Sequence, residues 1–178
     1  MKKLLFAVVA FAFLQSCSGD TKTTTEDVVP AGQTALDLTP QGFPLKINIP
    51  DSTFGVAEVM ENAGSIEIKV GSKFDILVNT AAPEDLDLKQ QKALAQAAMD
   101  GATVNFTKDT TNLLVWETQF FDLKPSHHFY MIMKIGEDNY IIRDNNQNAD
   151  NQFEAAEIAR MKAAAATLRA KPAEAPKS

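Results

Sequence analysis

Apolar and polar residues alternate in short runs through most of the chain, the period-two pattern of half-buried strands. Four runs come first: LKINI (Leu45 to Ile49), FGVAEVM (Phe54 to Met60), SIEIKV (Ser65 to Val70) and FDILVNT (Phe74 to Thr80). The connections ENAG and GSK place Asn and Gly where a positive φ is needed, so the last three read as an antiparallel meander. Four more runs follow a helical stretch: ATVNFT (Ala102 to Thr107), NLLVWET (Asn112 to Thr118), HHFYMIMKI (His127 to Ile135) and NYIIR (Asn139 to Arg143). The last two are joined by GED, a hairpin signal.

Two segments switch to helical spacing. In PEDLDLKQQKALAQAAMDG, Glu84, Asp85 and Asp87 fall in a predicted first turn, where carboxylates suit the helix dipole, and Gly101 stands as the C-terminal cap. A second helix is predicted from about Asn151, with Glu154 completing a capping box. Its Ile158, Met161, Ala165 and Leu168 form an apolar stripe suited to lying on a sheet. Strands, a helix, more strands and a closing helix predict an α+β fold: a single, mostly antiparallel sheet of about eight short strands with two helices packed on it. A strand hairpin followed by a long helix resembles the ending of PsbP-like domains, a likeness of element order over the last ~45 residues.

The first 38 residues follow different patterns. Lys2 and Lys3 precede an apolar core from Leu4 to Leu14, and polarity returns at Gln15, the layout of an export signal. The core is well short of the ~20 residues a spanning helix requires. Its end, Leu14-Gln15-Ser16-Cys17, resembles the lipobox of bacterial lipoproteins, with Gln15 in place of the usual small or aliphatic residue. The resemblance implies cleavage before Cys17, acylation of its thiol and anchoring in a bilayer. Ser18 is not the aspartate that marks inner-membrane retention in that family, so the resemblance implies a cell-envelope protein residing at the outer membrane. Cys17 is the only cysteine, which excludes an internal disulfide framework. The resemblance implies lipidation as its use, and the alternative is a chance cysteine near an ordinary signal-peptidase site. The expected organisation is a signal peptide at 1–16, a flexible Thr-, Asp- and Gly-rich tether at 17–38, one domain at 39–169 and an unstructured tail at 170–178.

The chain carries 17 basic and 23 acidic residues, a net charge of −6, and loss of Lys2 and Lys3 makes the mature form more acidic still. That balance argues against a nucleic-acid partner and against a basic patch on anionic lipid. The partners expected are therefore the bilayer, through Cys17, and another envelope protein.

Candidate chemistry is sparse. His127 and His128 are the only histidines, and neighbours on a strand point to opposite faces, so one is expected packed and the other exposed. Ser126 beside His127 raises a nucleophile, but no nucleophile elbow accompanies it, and no P-loop or H-E-x-x-H is present. The run after Arg143 places oxygen-bearing side chains at Asn146, Asn148, Asp150, Gln152, Glu154 and Glu157, a spacing that resembles an EF-hand calcium loop. Asn146, Asn148, Asp150 and Glu157 are its candidate ligands. Against calcium stand Asn at the first position, Asn151 where Gly is usual, and a predicted strand in place of the entering helix; the alternative is an Asx-rich turn that caps the last helix. Asp51-Ser52-Thr53 and Asp109-Thr110-Thr111 resemble the O-glycosylation acceptor motif of one group of envelope bacteria, making Ser52 and Thr110 candidate sites. Trp116 to Phe121 (WETQFF) either lines a ligand pocket or packs in the core. No cofactor is expected. The function implied is a membrane-anchored envelope lipoprotein, a non-enzymatic protein-binding or accessory subunit, with a small-molecule or sugar-binding module as the alternative and a hydrolase behind it.

Overall fold

The computed structural model describes residues 29–97, 101–146 and 152–172. In chain order its strands are β1 (Gln33–Asp37), β2 (Leu45–Pro50), β3 (Ala57–Asn62), β4 (Ser65–Val70), β5 (Asp75–Thr80), β6 (Ala102–Asp109), β7 (Leu113–Phe120), β8 (Ser126–Ile135), β9 (Asp138–Asp144) and β10 (Arg169–Ala170). Helix α1 (Leu88–Ala97) lies between β5 and β6, and α2 (Ala155–Ala165) follows β9. The fold is α+β, with every pairing between neighbouring strands antiparallel.

The strands form two sheets instead of the single one expected. Seven make a large sheet in the order β3-β4-β5-β9-β8-β7-β6, and β1-β2-β10 make a small one. Two meanders build the large sheet, β3 to β5 and β6 to β9, joined where β5 pairs with β9. β2 stays out of it because its two edges are taken by β1 and β10. The chain then crosses to the large sheet through Asp51–Val56, where Gly55 lies so close to Gly71 that a Cβ on it would meet the Gly71 nitrogen at 2.6 Å.

β1 falls within the stretch expected to be tether, and Leu38 just after it is fully buried, so the folded part begins before residue 39. The strand has little apolar content of its own. It is held by its pairing to β2 and by an ion pair of 2.8 Å from Lys171 Nζ to Asp37 Oδ2. With the Thr39 hydrogen bonds, that ammonium holds the Asp37 carboxyl far below the usual range. At the other end, β10 and a backbone bond of 2.9 Å from Lys171 N to Pro44 O carry ordered structure past residue 169.

Alternation in β4 puts Ile66, Ile68 and Val70 on one face of the large sheet, where they join Phe74, Ile76 and Val78 of the β5 segment and Phe129 and Ile142. Leu45, Ile47 and Ile49 of β2 close the core, together with Ile158, Met161, Ala165 and Leu168, the predicted helical stripe, all buried. The small sheet and α2 thus form one layer over one face of the large sheet. α2 starts later than expected: Glu154 is its N-cap, and Glu157 Oε2 accepts the Glu154 N–H at 2.9 Å. Asn151 lies outside the described residues. The first helical stretch divides into a 3-10 turn, Pro83–Leu86, and α1, with Asp87 Oδ1 accepting the Lys89 N–H at 2.9 Å. The β3–β4 hairpin turns on Ala63 and Gly64, with φ of 46° and 85°, so Ala63 and not Asn62 takes the left-handed position.

Candidate functional site

The opposite face of the large sheet is aromatic and only partly covered. Phe106 of β6 pairs with Trp116 of β7, which pairs with His128 of β8. Directly opposed residues share a face, and so the three rings stand in a row across the strands. Phe106 and Trp116 have centroids 5.9 Å apart; Trp116 and His128 stack at 5.2 Å with their planes 25° apart. Lys92 of α1 reaches over the first ring, its Nζ 4.8 Å from the Phe106 centroid and 2.6 Å from Asp109 Oδ2.

α1 stands off this face and contributes no buried residue. Its few apolar side chains cannot seal the sheet, and Leu94 is 54% exposed. The gap is a cleft of about 410 Å³, with Gln91, Leu94 and Ala95 on the helix side and Leu114, Trp116, Thr118, His128 and Tyr130 on the sheet side. Arg143, Asp144, Asn145 and Asn146 close one end. The Tyr130 hydroxyl donates to the Asp85 carbonyl at 3.0 Å, tying the 3-10 turn to the sheet. Burial, then the Asp85 charge, pushes the Tyr130 hydroxyl up to about 12.

The polar end is built where the β8–β9 ladder stops at Tyr130 and Arg143. One residue further along, the Phe129 N–H donates to Asp144 Oδ1 at 2.7 Å, a side chain standing where a ladder carbonyl would be. The other oxygen, Oδ2, lies 2.9 Å from His128 Nδ1. A buried carboxylate on Nδ1 fixes the ring orientation and leaves Nε2 as the second hydrogen-bonding atom of the imidazole. Alongside, Asn146 Nδ2 donates to Ser126 Oγ at 2.7 Å.

Asp75, at the start of β5, is buried next to this group, and its carbonyl accepts the Asn145 N–H at 3.0 Å. Asp75 Oδ1 and Asn145 Oδ1 are both buried with no hydrogen-bond partner. Desolvation pushes the Asp75 carboxyl up to about 6; the Asn145 side chain opposes that, while Glu67 and Asp144 add to it.

The residues singled out from the sequence scatter. His128 joins the cleft, whereas the His127 N–H donates to Phe153 O at 3.1 Å; both side chains are half-buried, so neither is the exposed member expected. Trp116 lines the cleft, as the pocket alternative has it, and Phe121 at the end of the same run is exposed. Of the calcium candidates, Asn148 and Asp150 lie outside the described residues. Asn146 turns to Ser126, and Glu157 is held by the Glu154 N–H at the start of α2 and by Lys73 Nζ at 3.2 Å. Among the described residues no cluster of three or more His, Cys, Asp or Glu could hold a metal ion. Ser52 and Thr110 are exposed; the Thr53 N–H donates to Asp51 Oδ1 at 3.0 Å beside the first, and the Thr110 N–H donates to the Leu113 carbonyl, also at 3.0 Å. Cys17 lies outside the described residues, and no helix among them is long and apolar enough to cross a membrane.

Sequence reasoning missed Asp75, which lies beside the cleft and outside its lining, and Arg143 and Asp144, which line it. The last two were within reach. A two-residue turn at Gly136 and Glu137 fixes the hairpin register from Ile135 and Asp138 inward, and counting along it brings residues 143–145 to the level of His128. No family model, no curated protein and no solved structure matches the chain.

Proposed function

We propose that the chain is an envelope lipoprotein, anchored by acylated Cys17, whose domain binds a small, largely apolar ligand in the cleft beneath α1. The observation that carries this reading is the pairing of an aromatic row with a polar end. Leu94, Leu114 and Trp116 line the cleft with apolar surface, Phe106 extends the aromatic row beside Trp116, and His128, Arg143 and Asn146 line its polar end, the make-up of a ligand site. This moves the weight from the accessory subunit expected from sequence to the binding module. Asp144 is engaged by His128 and by the Phe129 amide, so the polar end favours a ligand bearing an acceptor or an anionic group.

Trp116 is the only tryptophan, so the cleft carries its own reporter. Titrating the purified chain with a panel of aromatic and aliphatic carboxylic acids and monosaccharides should give a saturable change in its fluorescence for an acid. Leu94→Arg, at an exposed position, should remove the response without unfolding the chain; no saturable response from any compound would overturn the reading. For the anchor, Cys17→Ala should abolish fatty-acid labelling, and labelling that persists would overturn that part alone.

The His128–Asp144 pair favours a second reading, in which His128 acts as general base on a water molecule. Ester hydrolysis that depends on His128 would support it, and equal rates for the native chain and His128→Ala would remove it.

A further inference from the structure

The three most exposed large apolar residues among those described are Val56 at 76%, Phe121 at 73% and Leu123 at 56%. All three sit at one end of the large sheet, the end where β4, β7 and β9 finish and β3, β5 and β8 begin. β7 runs on to Phe120, opposite Ala102, whereas β8 begins opposite Thr118, so the turn after β7 projects past its neighbour.

Two features hold Phe121 in that position. Its backbone has a φ of 49°, the left-handed region that a bulky side chain rarely takes. The Gln119 side chain donates to the Phe121 carbonyl at 2.8 Å and also to the Leu123 carbonyl. Nearby, Lys124 pairs with Glu154, fixing the base of the turn. An exposed aromatic on a braced, strained backbone is presented to something other than water.

The chain also comes into the domain at this end. The Asp51 N–H donates to the Gly32 carbonyl at 3.1 Å, the Phe54 N–H to the Asp51 carbonyl at 3.0 Å, and Gly71, at the β4–β5 turn, abuts Phe54 and Gly55. From Val29 back to Cys17 the chain can span at most about 40 Å.

We infer that the turn from Phe121 to Leu123 seats in the surface of the bilayer that holds Cys17; the inference rests on the lipid-anchor reading above. The anchor brings the sheet end within reach, and the ring and the leucine enter the headgroup boundary while Asp122 stays among the headgroups. Because the chain is acidic, apolar burial and not attraction to anionic lipid drives the contact, which should be insensitive to salt.

The test uses the mature, acylated full chain in phosphatidylethanolamine and phosphatidylglycerol vesicles, with Leu123→Cys carrying an environment-sensitive fluorophore. A second protein carries the same fluorophore at Glu137→Cys, in the β8–β9 turn at the opposite end. Doxyl-labelled lipid should quench the probe at 123 about threefold more strongly than at 137, unchanged by added salt, and Phe121→Gly should weaken the quenching. The glycine relaxes the left-handed backbone, so loss of signal reports loss of the ring, not unfolding. Flotation of the same vesicles reports the anchor separately. Chains that float with equal quenching at both positions overturn the inference and leave the anchor standing, as does protection of residue 123 by a co-purifying protein in place of lipid. Chains that fail to float overturn both.

Discussion

Asp75 carries a carboxyl that is 5% exposed and has an oxygen without a partner, so its charge is expensive where it lies. In the folded chain it keeps its proton up to about pH 6, and in the unfolded chain it releases it near the ordinary 3.8. Between those values the folded state binds the extra proton, and stability falls as pH rises from 4 to 6 and stays low above. Asp75→Asn removes the charge and brings a donor toward the orphan Asn145 oxygen. It should therefore raise stability at pH 7.5 by on the order of 2 kcal/mol, with the gain vanishing near pH 4; denaturant melts at the two pH values check it. Asp144 works in the opposite direction. Asp144→Ala strands the buried Phe129 N–H and frees His128, and should cost about 2–4 kcal/mol at neutral pH, whereas His128→Phe, which leaves the Phe129 bond in place, should cost clearly less. Comparable losses in thermal denaturation would show that Asp144 matters only through the histidine. Asp75 does not announce itself in the sequence, because nothing local distinguishes a strand-end aspartate facing solvent from one turned inward. For Asp144 the hairpin register gives the level of His128 but not the inward turn of the side chain.

Among the elements, the crossover from β2 to β3 is the most sensitive to a single atom. A methyl group on Gly55 would press into the Gly71 backbone, and backbone cannot move aside as a flexible side chain does. Gly55→Ala should lower stability by about 2–3 kcal/mol and loosen the β3 edge first, measurable as faster amide exchange in β3 and β4 than in β8. Elements with strong periodicity were legible in the sequence: β4 matches its predicted run from Ser65 to Val70, and the buried stripe of α2 is the one read from its spacing. β1 and β10 were not legible. Ala35 and Leu36 are the only large or small aliphatics in β1, and β10 is two residues long, so both are strands only because β2 offers them an edge. That is also why the sheet count could not be read: β2 looks like any half-buried strand, and which sheet claims it depends on partners far away in the chain. The capping box moved for a similar reason. By residue type Asn151 and Glu154 fit the pattern better than Glu154 and Glu157 do, since glutamate is not a preferred N-cap, and packing of Phe153 and Ile158 in the core goes with the later start.

At the scale of the whole molecule, the two faces of the large sheet have different work. One is sealed by α2 and the small sheet into a continuous apolar core, and the other is left open under α1 as the cleft. Cleft and core share β7, β8 and β9, so a ligand gripping Trp116 and His128 would brace the strands against which α2 packs. A ligand held at a hundred times its dissociation constant should raise the unfolding free energy by about 2.7 kcal/mol, and a thermal shift that tracks the Trp116 titration would confirm that the same site is filled. The way the sheet is joined also governs when it can form. Ribosomes deliver a chain from its N-terminus, and here β1 to β5 emerge with nothing to close them: Thr80 waits for Tyr140, Lys46 for Arg169, and the isoleucines of β2 and β4 for the helix at the far end. The early half is therefore an unprotected apolar surface until the last thirty residues arrive. A chain stopped after β9 should be a substrate for holdases and proteases, not a smaller folded domain.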